Sequence, residues 1–291
     1  MEIRKAERKK AKLRLGIAAP SGAGKTYSAL LLAFGLGGKV GLIDTEHGSG
    51  DLYAHLGEYD IIGIEAPYTV SKYVQAIKAF EAAGYSTIII DSLSHAWAGD
   101  GGLLDKQGKM ADRGTNSFAA WRTITPEHNA LVDAMLSSPC HIIATMRAKQ
   151  EYVLETNAKG KQEPKKVGMA PVQREGMEYE FTVMLDVDMH HIASASKDRT
   201  SLFDGQFIKI TPDTGKMLLD WLEMGVAPEV FEPSVFEDNQ LAMMDAESME
   251  ALQAAFATAF KYARRFNNAE AVTAAKNVYE GRKAEFEGVP A

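Results

Sequence analysis

The chain has little with which to cross-link itself. Its one cysteine, Cys140, leaves no internal disulfide partner and lies in an apolar run, so a reducing, cytoplasmic setting is expected. No Cys/His spacing suits zinc, and the adjacent His190 and His191, falling on opposite faces of an expected strand, read as structural. No uninterrupted apolar stretch approaches the ~18 residues of a membrane span. The N-terminal MEIRKAERKKAKLRL is basic and lacks the apolar core of a secretory signal. Lysine and arginine are absent from residues 217–260, a stretch that holds Asp220, Glu223, Glu229, Glu232, Glu237, Asp238, Asp245, Glu247 and Glu250. The net charge of −7 is therefore segregated into an acidic tail and basic core segments, which leaves room for a polyanion site. The hydrophobic fraction of 46% over 291 residues suffices for one good-sized core and a small appendage.

What is present is concentrated near the start. Lys12–Ala18 has the content of a short buried strand, and Tyr27–Leu36 that of a helix. Between them lies Ala19-Pro20-Ser21-Gly22-Ala23-Gly24-Lys25-Thr26, the strand–turn–helix context of a phosphate-binding loop. Ser21, Gly22, Ala23 and Gly24 let backbone N–H groups face phosphates at a helix N-terminus. Lys25 is expected to reach the β- and γ-phosphates, and Thr26 to hold Mg²⁺. The first glycine of the usual pattern is Ala19 here, acceptable if that residue keeps φ < 0.

Two further strands end in acids. Ile88-Ile89-Ile90-Asp91-Ser92 is an apolar run suited to burial on both faces, which makes Asp91 a second candidate metal residue. The strand Lys39–Asp44 leads to Glu46, which either orients an attacking water or is a solvated loop acid; its placement relative to the other two motifs favours the first. His47 reads as a loop hydrogen-bonder.

With Ile43-Asp44-Thr45-Glu46-His47 in place, the chain resembles the RecA family of recombination ATPases, whose catalytic glutamate lies in a similar strand-end stretch. The order of Gly48–Tyr53, a helix near Ser71–Ala83 and Ile88–Ser92 matches as well, and the likeness covers about residues 12–210. Ala144–Tyr152 and Pro171–Gly176 are similar to phage-encoded members associated with single-strand annealing. The resemblance implies a RecA-like P-loop α/β core with a mainly parallel sheet flanked by helices, Mg-dependent ATP hydrolysis, a homo-oligomeric ring or filament, and single-stranded DNA as partner. It implies that Lys197 and Arg199, after an expected strand His190–Ser196, reach the γ-phosphate of a neighbouring subunit; the bland alternative is a basic turn. The family's γ-phosphate-sensing glutamine is replaced by Thr145, Met146 and Arg147 after the strand Cys140–Thr145. The family's large N-terminal oligomerisation domain has no counterpart before the loop.

RecA-like proteins place DNA-binding loops after sheet strands, and two basic segments lie there. Gly99–Arg122, a glycine-rich stretch, carries Lys106, Lys109, Arg113 and Arg122 beside Trp121. The second, expected as a hairpin with a basic tip, carries Arg147, Lys149, Tyr152, Lys159, Lys161, Lys165, Lys166 and Arg174. The alternative for both is a solvated surface. The basic run 1–14 is read as a DNA- or subunit-contacting helix or as disordered, with the ATPase core at 15–225. Thr211–Trp221 is expected to close that core. An acidic linker at 226–240 and a helical hairpin at 241–291 are expected to follow. Ser248 would cap the hairpin's first helix, and Asn267-Asn268 would turn the chain between the two. That hairpin is either a module for a single-strand-binding or other replication protein, or a packing element. Two other functions fit less fully: a nucleotide-gated loader or regulator of a replication helicase, and a small-molecule kinase.

Overall fold

Apolar runs without alternation become the inner strands of one sheet, because side chains on both faces of such a strand must be covered. The computed structural model describes residues 5–156, 162–227, 229 and 231–287, and for residues 150–156 and 162–169 the backbone alone. The strands are β1 (Arg14–Ala19), β2 (Val40–Asp44), β3 (Asp60–Gly63), β4 (Thr87–Asp91), β5 (His141–Thr156), β6 (Gln162–Pro171), β7 (Val183–Val187), β8 (Ala193–Asp198) and β9 (Phe207–Ile208). Their spatial order is β3-β2-β4-β5-β1-β7-β8-β9, with β6 paired to β5. The pairs from β3 through β7 are parallel; β8, β9 and β6 join antiparallel.

The helices of this unit are α1 (Lys25–Leu36), α2 (Val70–Ala82), α3 (Leu93–Ala98), α4 (Leu103–Asp112), α5 (Ser117–Ser137) and α6 (Pro212–Glu223). Period-two alternation splits the sheet's side chains between two cores. Ile88, Ile90, Ile142 and Ala144 pack with Tyr73 and Ile77 of α2 and Ile124 and Leu131 of α5. Ile89, Ile143, Leu15 and Ile17 pack on the other face with Leu30 and Leu32 of α1 and Leu218 and Leu222 of α6. The two helices on that face meet at glycines. A Cβ at Gly35 would lie 1.9 Å from the Pro212 carbonyl oxygen, and one at Gly215 would lie 2.2 Å from that of Leu32. No larger residue fits either position. The Thr211–Trp221 helix forms as expected, with the Thr211 N–H donating to Thr214 Oγ1 at 3.1 Å.

Three local expectations need correction. The basic N-terminal run is not a helix over residues 5–13: Lys10 N–H donates to the Val226 carbonyl, Arg8 lies over the Trp221 ring, and Lys10 pairs with Glu223. Arg14 is buried and donates to the carbonyls of Leu13, Cys140, Leu136 and Ser138, so it ties the α5–β5 connection to β1. Burial lowers the Arg14 guanidinium to about 10, which still leaves it charged at neutral pH. The strand expected from His190 begins only at Ala193. Asp188 Oδ1 accepts the N–H groups of His190 and Ile192, at 2.8 and 2.9 Å, and closes a turn with His191 at φ 61°. Finally, Gly99–Arg122 is no glycine-rich loop but contains α4 and the start of α5, which Asn116 caps through Phe118 N–H at 2.8 Å.

A second unit spans Ala227–Ala291. The stretch expected as a linker holds helix α7 (Pro233–Met244), for which Pro233 supplies a favourable first-turn residue and Phe236 and Met243 an apolar face. With α8 (Met249–Arg265) and α9 (Ala269–Phe286) it makes three helices around Phe236, Met243, Leu252, Ala259, Ala263, Ala271 and Ala275, in place of a two-helix hairpin. Ser248 and Asn268 cap α8 and α9 through the N–H groups of Ala251 and Ala271.

Replacing Arg14 by Met removes the charged donor from several buried carbonyls, and the loss of unfolding free energy is expected to be about 2–4 kcal/mol. Urea denaturation of Arg14→Met measures it; an unchanged midpoint would contradict the anchoring role.

Candidate functional site

The carboxyl ends of β1, β2 and β4 and the middle of β5 converge on one cavity of about 610 Å³. Ser21, Gly22, Gly24, Lys25 and Thr26 line it from the phosphate loop, Glu46 and Asp91 from β2 and β4, and Arg147, Ala148 and Val172 from the β5–β6 hairpin. The loop needs Gly22 and Gly24, whose φ values of 82° and 86° lie in the left-handed region. Ala19 ends β1 and is absent from the positive-φ residues, so replacement of the first glycine costs nothing there. Lys25 Nζ donates to the Pro20 carbonyl at 3.1 Å across the loop. Burial lowers its ammonium pKa against the opposing pull of Asp91 and Glu46, so an incoming phosphate would restore a stripped counter-charge.

Asp91 is the most protected acid of the site. It is 2% exposed, with Oδ2 accepting from the Thr26 hydroxyl and Oδ1 from the Thr145 hydroxyl, each at 2.5 Å. Burial raises its pKa, with the two hydroxyls opposing. Thr26 Oγ1 and the Asp91 carboxylate are hard oxygen donors beside the phosphate loop, a fit for Mg²⁺, which usually takes few protein ligands and fills its remaining positions with phosphate and water. Among the described residues no group of three or more His, Cys, Asp or Glu could hold a metal without such help.

Glu46 owes its place to Asp44 and Thr45. Asp44 Oδ1 accepts the Glu46 N–H at 2.6 Å and Oδ2 that of Gly50 at 3.0 Å, which curls the loop after β2. Thr45 N–H donates to the Asp91 carbonyl at 2.7 Å, and its hydroxyl meets His95 Nδ1 at 2.7 Å, so the ends of β2 and β4 are stitched together. The Glu46 carboxylate takes two bonds from Arg147, Nε at 3.1 Å and Nη2 at 2.6 Å. Burial pulls the Glu46 pKa upward, but the Arg147 bonds and charge outweigh it and leave the group below its ordinary value. His95 is lowered by burial and by Arg147.

A second chamber of about 670 Å³ shares Gly22, Gly24 and Tyr53 with the first and adds Tyr27, Leu31, His191, Lys209, Thr211 and Pro212. Tyr27 and Tyr53 meet edge to face at 6.1 Å, and His191 Nδ1 lies 3.1 Å from the Ala23 carbonyl oxygen. Here is a flat-walled apolar space next to a phosphate loop, the shape a nucleoside needs. The approach of His191 to the phosphate loop depends on a turn that Asp188 makes within the stretch expected as strand; the Asp was the local signal for that turn.

Other expected residues lie elsewhere. Strand register sets Asp198 beside Val183, level with Leu15, whereas Ala18 and the phosphate loop are level with Asp186 and Ser194. Lys197 and Arg199 are thus toward the other end of the strands, roughly 10 Å away along the strand direction alone at ~3.3 Å per residue and two strands across from β1, and do not reach their own chain's phosphate loop. They donate to carbonyls of Glu178 and Tyr179 instead. Lys106 pairs with Glu127, and Lys109 with Asp105 and Asp100, while Arg113 and Arg122 are exposed. Such surface pairs are weak and exchangeable. β5 and β6 form the expected antiparallel ladder, with Tyr152 opposite Lys166 and Val153 opposite Lys165. Lys149 is exposed, and Arg174 lies 5.9 Å over the ring of Trp121, itself stacked on Trp97. Lys159 and Lys161 lie outside the described residues, as do the side chains of Tyr152, Lys165 and Lys166.

Two outcomes follow. A raised pKa means that the proton is bound more tightly in the folded state. Stability from Asp91 is therefore present at low pH and lost as pH rises through the raised value. Asp91→Asn should accordingly raise the melting temperature of the nucleotide-free protein at neutral pH, by roughly 2–4 °C per ~1 kcal/mol recovered, while abolishing Mg-dependent nucleotide affinity. Calorimetry with and without Mg-nucleotide checks both halves. Tyr27→Ala should weaken a nucleoside triphosphate about tenfold and leave inorganic tripolyphosphate unaffected, as titration calorimetry would read.

A family model described as an AAA domain matches residues 11–214, more than half of the chain. None of the curated proteins compared with it matches. No helix among the described residues is long and apolar enough to cross a membrane. The chain belongs to the AAA domain family, and its residues 11–214 are a P-loop NTPase-type domain.

Proposed function

We propose that the protein hydrolyses ATP with Mg²⁺ and uses the cycle to bind single-stranded DNA for annealing or strand pairing, in the manner of phage-encoded RecA-core proteins. One observation carries the reading: Ala148 and Val172, at the root of the basic β5–β6 hairpin, are walls of the cavity that holds Lys25, Asp91 and Glu46. A nucleotide there would touch the base of the element expected to meet DNA. Thr26 and Asp91 would hold Mg²⁺, which supplies charge neutralisation on the phosphates when bound. Lys25 neutralises and orients the terminal phosphates, and Glu46 orients the attacking water and accepts its proton. Arg147, Lys149 and the hairpin lysines would follow the DNA backbone, with Tyr152 available to stack on a base.

Lys197 and Arg199, toward the other end of the strands, fit a role toward a neighbouring copy in a ring or filament, where they would stabilise charge on that copy's γ-phosphate. The acidic three-helix unit has its own core, which favours a docking role toward a single-strand-binding or other replication protein. The same feature supports a second reading, a nucleotide-gated loader of a helicase. A small-molecule kinase has less use for an acid placed like Glu46 beside the phosphates.

Glu46→Gln should lower ATP hydrolysis by roughly 10²–10³-fold with Mg-ATP affinity no weaker than in the wild type. In anisotropy titrations, a labelled single strand should bind the wild type more tightly with Mg-ATP than with Mg-ADP and less tightly at higher salt. Unchanged turnover in the variant sinks the role of Glu46; no DNA binding in any nucleotide state sinks the recombination reading and leaves the loader.

A further inference from the structure

Arg147 is pinned by its backbone and free at its tip. Its N–H donates to Ser94 Oγ at 2.9 Å, and its carbonyl accepts the Val172 N–H at 2.6 Å, so the residue is fixed between α3 and the returning strand of the hairpin. The side chain, by contrast, is about half exposed (49%) and lines the phosphate cavity. It gives two donors to Glu46, the carboxylate proposed above to activate water. Both Oε atoms of Glu46 are engaged, Oε1 by Nε and Oε2 by Nη2. Two of the roughly four acceptor positions of the carboxylate are thus taken up by a cation, which lowers its capacity to receive a water proton. Burial favours the protonated form, but the Arg147 bonds and charge outweigh it and keep the carboxylate a poor base.

A triphosphate entering this cavity changes the competition. Its terminal phosphate carries more charge than a carboxylate and presents several oxygens to a planar fork of donors. The existing pair is partly solvated and screened, so it yields readily to a stronger acceptor. A diphosphate brings no such group.

We infer that Arg147 is a latch that holds Glu46 inactive in the empty and diphosphate states and transfers to the terminal phosphate of a bound triphosphate, freeing Glu46. The inference rests on the proposed hydrolytic role of the site and adds to it the regulation. Because Arg147 is also the first hairpin-root residue, the same side-chain transfer reports the phosphate state at the base of the hairpin. No backbone rearrangement is needed, since both main-chain bonds of Arg147 can persist.

The test is a double-mutant cycle on nucleotide affinity, read by calorimetry with Mg-ADP and with a non-hydrolysable Mg-ATP analogue. Arg147→Ala should leave the ADP affinity within about twofold and weaken the analogue by about tenfold or more. Glu46→Gln should tighten the analogue several-fold, because Arg147 no longer has to leave a charged partner. In the Arg147→Ala background that gain should vanish. Simple repulsion between Glu46 and the phosphates predicts the reverse, a larger gain once Arg147 is gone, and that result would overturn the latch. Equal losses for both nucleotides in Arg147→Ala would also overturn it, since they assign the residue a merely structural or diffuse electrostatic role. Arg147→Lys, which keeps the charge without the fork, should recover only part of the discrimination. A wild type that binds neither nucleotide removes the hydrolytic reading and the latch together, whereas normal binding with a failed cycle removes the latch alone.

Discussion

The site depends on keeping one carboxylate dry. Asp91 ends β4 between β2 and β5, where ionisation is costly, and the hydroxyls of Thr145 and Thr26 with the charge of Lys25 offset part of that cost. The two hydroxyls come from different elements, β5 and α1, so the acid gathers the phosphate-loop helix and the hairpin strand to one point. Thr45, bonded to the Asp91 main chain, brings the end of β2 and with it Glu46. The buried sheet supplies the rigidity, and the glycine contact of α1 with α6 holds the loop's helix from behind. A divalent cation beside Asp91 would favour its ionised form.

Legibility followed the range of the physical cause. The phosphate loop is a local device: a strand, two left-handed glycines and a helix start, all within about a dozen residues of the sequence. The acids at strand ends were readable too, because a doubly buried strand must be apolar until it reaches the edge. The ion pair between Glu46 and Arg147 was not, since 101 residues separate the partners and only the strand order brings them together. His191 is placed by a local turn at Asp188, but its approach to Ala23 spans 168 residues and depends on the strand order.

Composition misled in two places. Glycines in 99–114 suggested a loop, yet Gly101 and Gly114, both at positive φ, mark the ends of helical segments and not their absence. Acidic residues in 226–240 suggested a linker, yet Phe236 and Met243, seven residues apart, already describe one helical face. The basic N-terminal run invited a polyanion, but Arg8, Lys10 and Arg14 find partners within their own unit. Clustered charge is evidence of a field, and the fold decides where that field is spent.

The proposed function requires that triphosphate chemistry in this cavity ends on water and is felt by the hairpin. Release of inorganic phosphate from Mg-ATP, followed continuously as single-stranded oligonucleotide is added, tests it most directly. The account predicts phosphate release in step with ADP and faster with the oligonucleotide present. Nucleotide binding without phosphate release, or phosphate recovered on an acceptor molecule, would contradict it.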